Sequence, residues 1–385
     1  RHRTGRRRHR RPRTHSTGLS GMFEGVRKVI LASFAVMAAV IAAWGTARYP
    51  LGWALLAVAL VLYGAILWRH PAAWLLALPA LLPILHLTPW SGWYYLTEFD
   101  LFVAVTLAIG LASAAAMPTE VRMPRRIKWL LALFTLSCLV SLAIGILPLQ
   151  PLDHAAFSSY FSRYAALLPA KALLSVLLLI PLASRAIERG TDVRGLFAAG
   201  MALGLLGVCV VALWERIAYP GLLDFNRVYR IAASFSTMNT GGGHVEGYLV
   251  LALPFVVAAI YYIRAIALRV ALGLLFALGS YVLLVTFSRG GYAAFAFSLV
   301  VLLATIGASA LRRSWARRAL IAPVLLALIA SLVAVPVLEG RFIRSRLATA
   351  TEDWGTRVAH WRDVLAMMNQ DWTTTAFGMG LGRFP

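Results

Sequence analysis

An all-α, polytopic membrane protein is the fold that this sequence predicts, on three observations. Of 385 residues 60% are hydrophobic and only 14% charged, whereas a soluble domain runs about half apolar and a quarter charged. The apolar residues gather in runs near the roughly 20 residues of helix that a bilayer core needs. Lys and Arg total 37 against 15 acids, and in so apolar a chain that excess is first a topology signal. Cys138 and Cys209 both lie inside apolar runs; they make no disulfide framework, and no Cys/His cluster offers a zinc site. No cofactor is expected.

Residues 1–28 form a basic arm, with eight arginines and no acid among its first 20 residues. It has no apolar h-region, so it is not a cleavable signal peptide. Arg-rich arms bind nucleic acid or anionic lipid head groups. Here Met22 opens a plausible membrane-protein start, so the arm is expected to lack a role of its own and no nucleic-acid partner is expected.

Eleven apolar runs follow, at about 29–47, 50–68, 72–88, 99–117, 129–148, 165–183, 195–213, 247–263, 268–287, 291–311 and 319–338, and they define a transmembrane domain over 29–338. The run 72–88 is short and carries Pro79 and Pro83, which predict a kink. Between Arg269 and Arg312 the only charge is Arg289, within Phe287-Ser-Arg-Gly-Gly291. That stretch suits two spans joined by a tight hairpin at Arg289.

Orientation follows from charge. With the N-terminus inside, the inner segments carry 24 basic and four acidic residues, the outer ones 13 and 11. This is a positive-inside pattern, with a cytoplasmic N-terminus. Three segments then face outward: 149–164, 214–246 and 339–385. The last is expected to be a truncated periplasmic loop, because Gly378-Met-Gly-Leu-Gly382 ends the chain in turns.

Candidate functional residues concentrate on that outer face. Arg227 and Arg230 precede a run of small and polar residues. Arg289 sits where two apolar helices meet, and two glycines after it let a ligand approach the backbone; the bland alternative is a hairpin cap. Lys171 lies inside a predicted span, where a cation costs about 2.5–3.5 kcal/mol at mid-depth and so snorkels or faces a partner. Converging cations with few acids suit a large anion, and arginine's planar fork holds phosphate oxygens bidentately.

Residues 351–370 read as an amphipathic helix, with Trp354, Val358, Trp361, Leu365 and Met368 on one stripe. The stripe is expected to pack against the membrane domain, and Thr349 with Glu352 fits a capping box. Arg357, His360 and Asp363 lie on other faces, free to point at a substrate. Gly378-x-Gly380-x-Gly382 is a sharp turn and a weak phosphate cradle. Glu98 and Asp100 at an outer helix start are either a divalent-metal pair or, the favoured reading, an N-terminal cap.

These residues resemble the bacterial O-antigen ligase and O-antigen polymerase superfamily. Arg230-Ile-Ala-Ala-Ser-Phe-Ser-Thr-Met-Asn239 is similar to its Arg-x-x-x-x-Phe-x-x-x-Asn segment, and Phe287-Ser-Arg-Gly-Gly-Tyr292 to its Ser-Arg-Gly hairpin. Arg357-x-x-x-Trp361 with Gly378-x-Gly-x-Gly-x-Phe384 is similar to its outer-loop signature. The likeness covers about 225–385. It implies a metal-independent, inverting glycosyltransferase of the bacterial inner membrane, moving a glycan from an undecaprenyl diphosphate carrier to a lipid or glycan acceptor on the periplasmic side. Arg230 and Arg289 would hold the diphosphate, helped by Arg227, Lys171 and Arg357. The family's histidine lies after the glycine-rich turn, beyond residue 385, which leaves His244, Glu246 and His360 as candidate bases. Two rival readings remain: a transporter or flippase for an anionic lipid or solute, and a metal-dependent glycosyltransferase using Glu98 and Asp100.

Overall fold

A computed structural model describes residues 19–85, 87–93, 95–116, 123–153, 156–157, 162–235, 243–312, 321–369 and 371–382. Among them the chain is helical with no strand. In order come α1 (Leu19–Ala47), α2 (Trp53–Arg69), α3 (Trp74–Leu81), α4 (Thr88–Ser91), α5 (Glu98–Ala116) and α6 (Arg125–Ile146). A 3-10 turn (Arg163–Ala166) leads into α7 (Leu167–Glu188), followed by α8 (Val193–Ala218), α9 (Gly243–Tyr262), α10 (Ile266–Leu284) and α11 (Arg289–Arg312). The rest are α12 (Ile321–Leu338), α13 (Arg341–Ala348), α14 (Ala350–Ala366) and α15 (Trp372–Phe377).

Six helical stretches are long and apolar enough to cross a membrane, in α1, α5, α6, the 3-10 turn with α7, α8 and α10. Shorter apolar helices occupy α2, α9, α11 and α12. Each matches one expected run. The run 72–88 does not form one helix. Pro79 lies in the last turn of α3, and Pro83, which has no N–H to donate, follows in the turn that ends it.

The broken segment still passes from one end of α5 to the other. Trp74 lines the same cavity as Gly110, Ser113 and Ala116 near the C-terminal end of α5. Sixteen residues beyond Pro71, the Leu87 N–H donates to Glu98 at the opposite end (3.3 Å). What holds an interrupted helix there is close packing on α8. A Cβ on Gly200 would lie 2.4 Å from the Leu76 carbonyl oxygen, and one on Gly204 2.8 Å from that of Pro79. This is the small-xxx-small contact by which membrane helices bring backbones together. Replacing Gly200 by Val should therefore cost about 1–3 kcal/mol of overpacking, read as a lower denaturant midpoint; an unchanged midpoint would refute this account of the contact.

Of the other helices, α1 runs antiparallel to α5 and α8 to α9, whereas α2 and α7 run parallel to α5. Tyr49, just past α1, donates to Glu98 at the start of α5 (2.6 Å), and Tyr63 of α2 shares a hydrogen bond with Thr106 (2.7 Å). Phe197 of α8 packs on Phe255 of α9, and Gly279 of α10 faces Leu253 and Leu205. The main core lies among α8, α9, α10 and α12, where Leu205, Leu253, Phe276 and Leu283 are fully buried. By contrast, α1, α2 and α6 carry exposed Val, Leu, Ile and Phe along their lengths. That surface suits lipid, and exposed Trp44, Trp53, Trp68 and Trp129 near helix ends suit interfacial belts.

Two expectations about the last segment need correction. Trp354, Trp361 and Leu365 are exposed, so the α14 stripe does not pack on the bundle; Trp354 and Trp361 pack edge to face on each other (5.5 Å). The capping box also fails to form. Thr349 is the N-cap residue but makes no cap hydrogen bond. With α13 ending one residue earlier, its hydroxyl reaches back to the Ser345 and Arg346 carbonyls.

Candidate anion-binding site

The hairpin between α10 and α11 is built around strain. Phe287 is buried at φ 52°, a left-handed conformation for a bulky residue, and its ring packs edge to face on Phe342 (4.9 Å). Ser288 then caps α11, its Oγ accepting the Gly291 N–H (3.1 Å). Arg289 is thus the first residue of a helix. A cation there opposes the helix dipole, while helix N-termini attract anions. The plain cap reading is taken by Ser288 instead. Gly291 serves packing, since a Cβ there would lie 3.2 Å from the Glu246 Cβ; around Gly290 the space is open apart from its own neighbour Ser288.

Arg230 reaches this hairpin from the loop after α8. Its Nε donates to the Thr286 carbonyl (2.8 Å), and its Nη2 lies 3.5 Å from Glu246 Oε2. Arg289 in turn donates through Nη1 to the Arg346 carbonyl (2.7 Å). The Arg346 guanidinium stands within electrostatic reach of both Arg230 and Arg289, and its buried Nε has no hydrogen-bond partner among the described residues. Three arginines therefore lie close together, with Arg346 near the other two and Glu246 paired to Arg230. Burial holds the Arg230 guanidinium below the usual arginine range; Glu246 opposes that shift and Arg346 adds to it.

The loop bearing Arg230 is held by Glu215, near the end of α8 and almost buried. Its carboxylate accepts from the Ala232 and Ala233 N–H groups (3.1 and 2.7 Å) and from the Tyr229 hydroxyl (2.8 Å). Ala233 sits at φ 50°, and with Phe287 it makes a pair of left-handed non-glycine residues flanking the cluster. Such strain persists where surroundings over-determine it. The neighbouring Arg216 is fully buried and fixes the preceding turn through the Leu222 and Asp224 carbonyls (3.3 and 2.8 Å).

The other sequence candidates divide. Glu246, at the start of α9, stands beside Arg230. His244 and His360 are exposed. Arg357 is exposed on α14 yet within electrostatic reach of Arg289. Arg227 turns away to pair with Asp224 (3.1 Å). Lys171 belongs to a separate pair, donating to Asp100 and to the Tyr95 carbonyl (2.9 Å). Asn239 and Phe384 lie outside the described residues; Phe235 packs on Tyr248 (5.8 Å).

Glu98 and Asp100 do not share a ligand. Glu98 is buried and accepts from Tyr49 and Leu87. Asp100 accepts from the Thr97 N–H (2.7 Å) while Thr97 Oγ1 accepts the Asp100 N–H (3.3 Å), a reciprocal cap of α5. Among the described residues no group of three or more His, Cys, Asp or Glu could hold a metal. The glycine-rich turn is likewise not a cradle. Gly380 and Gly382 press on the backbones of Gly145 and Ala166, and the Leu381 N–H is taken by the Ser141 carbonyl (3.0 Å).

Arg346 and Glu215 are the two residues that sequence reading missed. Arg346 carried a signal, being one of three arginines in Arg341-Phe-Ile-Arg-Ser-Arg346 just past a span; Glu215 carried only its place at a helix end. No family model, no curated protein and no solved structure matches this chain.

Proposed function

We propose that this protein is a membrane glycosyltransferase that moves a glycan from an undecaprenyl diphosphate carrier to an acceptor hydroxyl, as an O-antigen ligase or polysaccharide polymerase does. The observation that carries the reading is the clustering of Arg230, Arg289 and Arg346 beside the N-terminus of α11, with one carboxylate, Glu246, paired to Arg230. Such a site suits a diphosphate more than a singly charged solute. In this reading the chain crosses the bacterial inner membrane eleven times, counting the broken α3 segment, with its N-terminus cytoplasmic and residues 339–385 periplasmic.

The acceptor oxygen attacks the sugar C1 and displaces the diphosphate from the opposite side, so C1 inverts. The C1–O bond breaks and its electron pair goes to the diphosphate. Preorganised arginines stabilise that developing charge where water is scarce. The acceptor proton goes to a base, a step typically worth about 10²–10⁴-fold. Glu246 is the candidate nearest the arginines; His244 and His360 are the more distant ones. Because Glu98 and Asp100 are engaged elsewhere, chelation should leave turnover unchanged, and loss on chelation would favour the metal-dependent reading.

A double-mutant cycle tests the shared site. Binding of carrier-linked glycan is measured for Arg230→Ala, Arg289→Ala and the double variant. Each contact is worth about 1.5–3 kcal/mol, and two donors to one diphosphate should be non-additive. Strict additivity would mean separate sites. The transporter reading draws support from the broken α3, since interrupted helices mark many transporter sites. Glycan transfer to an acceptor, with free undecaprenyl diphosphate released, separates the two; movement of intact carrier without that release favours transport.

The orientation has its own test. Cysteines replacing Asp153, Arg227 and Asp363 should react with a membrane-impermeant thiol reagent in intact spheroplasts. Labelling at Lys128 or Arg264 in their place would overturn it.

A further inference from the structure

At the end of the bundle opposite the arginine cluster, a cavity of about 480 Å³ opens between α2, α3, α5 and α7. That is within the range of specific ligand pockets. Its walls are apolar, with Trp68, Trp74, Ile109 and Leu182 among them, and its polar boundary includes Arg185 and Arg189. Arg189 needs no special account, because it sits just past α7, where the helix dipole favours a cation. Arg185 does. It is 8% exposed, and its Nε and Nη1 are buried with no hydrogen-bond partner among the described residues. Glu188 lies within electrostatic reach of Arg185 without a hydrogen bond to it. An arginine in the last turn of a membrane helix ordinarily extends to water, yet this one turns inward over an apolar cavity.

We propose that this cavity is a binding site for an anionic glycerophospholipid of the leaflet at that end. One acyl chain fills the apolar space, and the phosphodiester accepts from the Arg185 fork with Arg189 beside it. The complementarity is specific in charge and form. A phosphodiester has two oxygens in the spacing of the fork, and basic pockets between membrane helices suit anionic head groups. A zwitterionic choline head group would bring a cation against two arginines. The role is structural, independent of transferase chemistry at the other end: the lipid satisfies donors that otherwise stay orphaned where α2, α3, α5 and α7 meet.

Native mass spectrometry of the full chain in detergent, with added phosphatidylglycerol or phosphatidylcholine, tests it. Phosphatidylglycerol should be retained one per chain and should raise the melting temperature; phosphatidylcholine should do neither. Arg185→Gln should lower retention about tenfold, the equivalent of one charge-assisted contact. Ser113→Trp fills the cavity with both arginines in place and should lower it similarly, which carries the test if Arg185→Gln fails to fold. Arg69→Gln, exposed at the same end, should change nothing. Equal retention of the two lipids, or full retention in Ser113→Trp, would overturn the site.

Discussion

Replacing Arg289 by Ala should abolish most glycan transfer, with turnover falling by about 10²–10³-fold, while the protein still inserts and keeps its helix content. The size follows from what one preorganised donor to developing charge contributes. Truncating Arg289 removes a hydrogen bond to the Arg346 carbonyl on α13, while Ser288 keeps the cap of α11. Arg289→Lys retains the charge but loses the planar fork that presents paired donors to two phosphate oxygens. Its turnover should therefore stay closer to that of Ala than to the parent's. Transfer of sugar from undecaprenyl diphosphate in right-side-out or permeabilised vesicles measures both. Full activity in the two variants would remove Arg289 from the site and the transferase reading with it.

How far the sequence reaches is visible in these residues. Apolar run length located ten of the helices, nine of them to within about five residues and α1 only at its C-terminal end, because lipid permits few backbone arrangements besides the hydrogen-bonded helix. The hairpin at Arg289 was legible for the same reason. The break in the run 72–88 was half legible: Pro79 and Pro83 announced a kink, but its tolerance depends on Gly200 and Gly204 in a helix about 120 positions away, and no local pattern reports that pairing.

The site divides along the same line. Arg230 and Arg289 were readable because a cation between apolar runs is conspicuous. Arg346 was one arginine among several in a loop, and only packing of α13 on the hairpin selects it. Lys171 and Arg227 look the same in sequence, yet Asp100 and Asp224 neutralise them. Which cation finds an acid is a tertiary fact. The exposed stripe of α14 teaches the converse, since amphipathic periodicity shows that a face is apolar and not what covers it.

Glu215 offers the other large effect, acting through the loop it holds. In Glu215→Ala the Ala232 and Ala233 N–H groups and the Tyr229 hydroxyl lose their acceptor together. Each polar group left orphaned costs about 1–3 kcal/mol, and Ala233 loses the bond that holds it at positive φ. The loop is then expected to leave its bound conformation and to take Arg230 from the Thr286 carbonyl. Stability should drop by several kcal/mol, and diphosphate binding should weaken as though Arg230 itself were gone. Glu215→Gln keeps one carbonyl oxygen as acceptor and should fall between the parent and Ala on both measures. The distinguishing observation is the combination with Arg230→Ala. If Glu215 acts only by placing Arg230, the double variant binds carrier no worse than either single variant, whereas its denaturation midpoint stays as low as that of Glu215→Ala. A double variant that loses the sum of both binding effects would show that Glu215 reaches the ligand by another route.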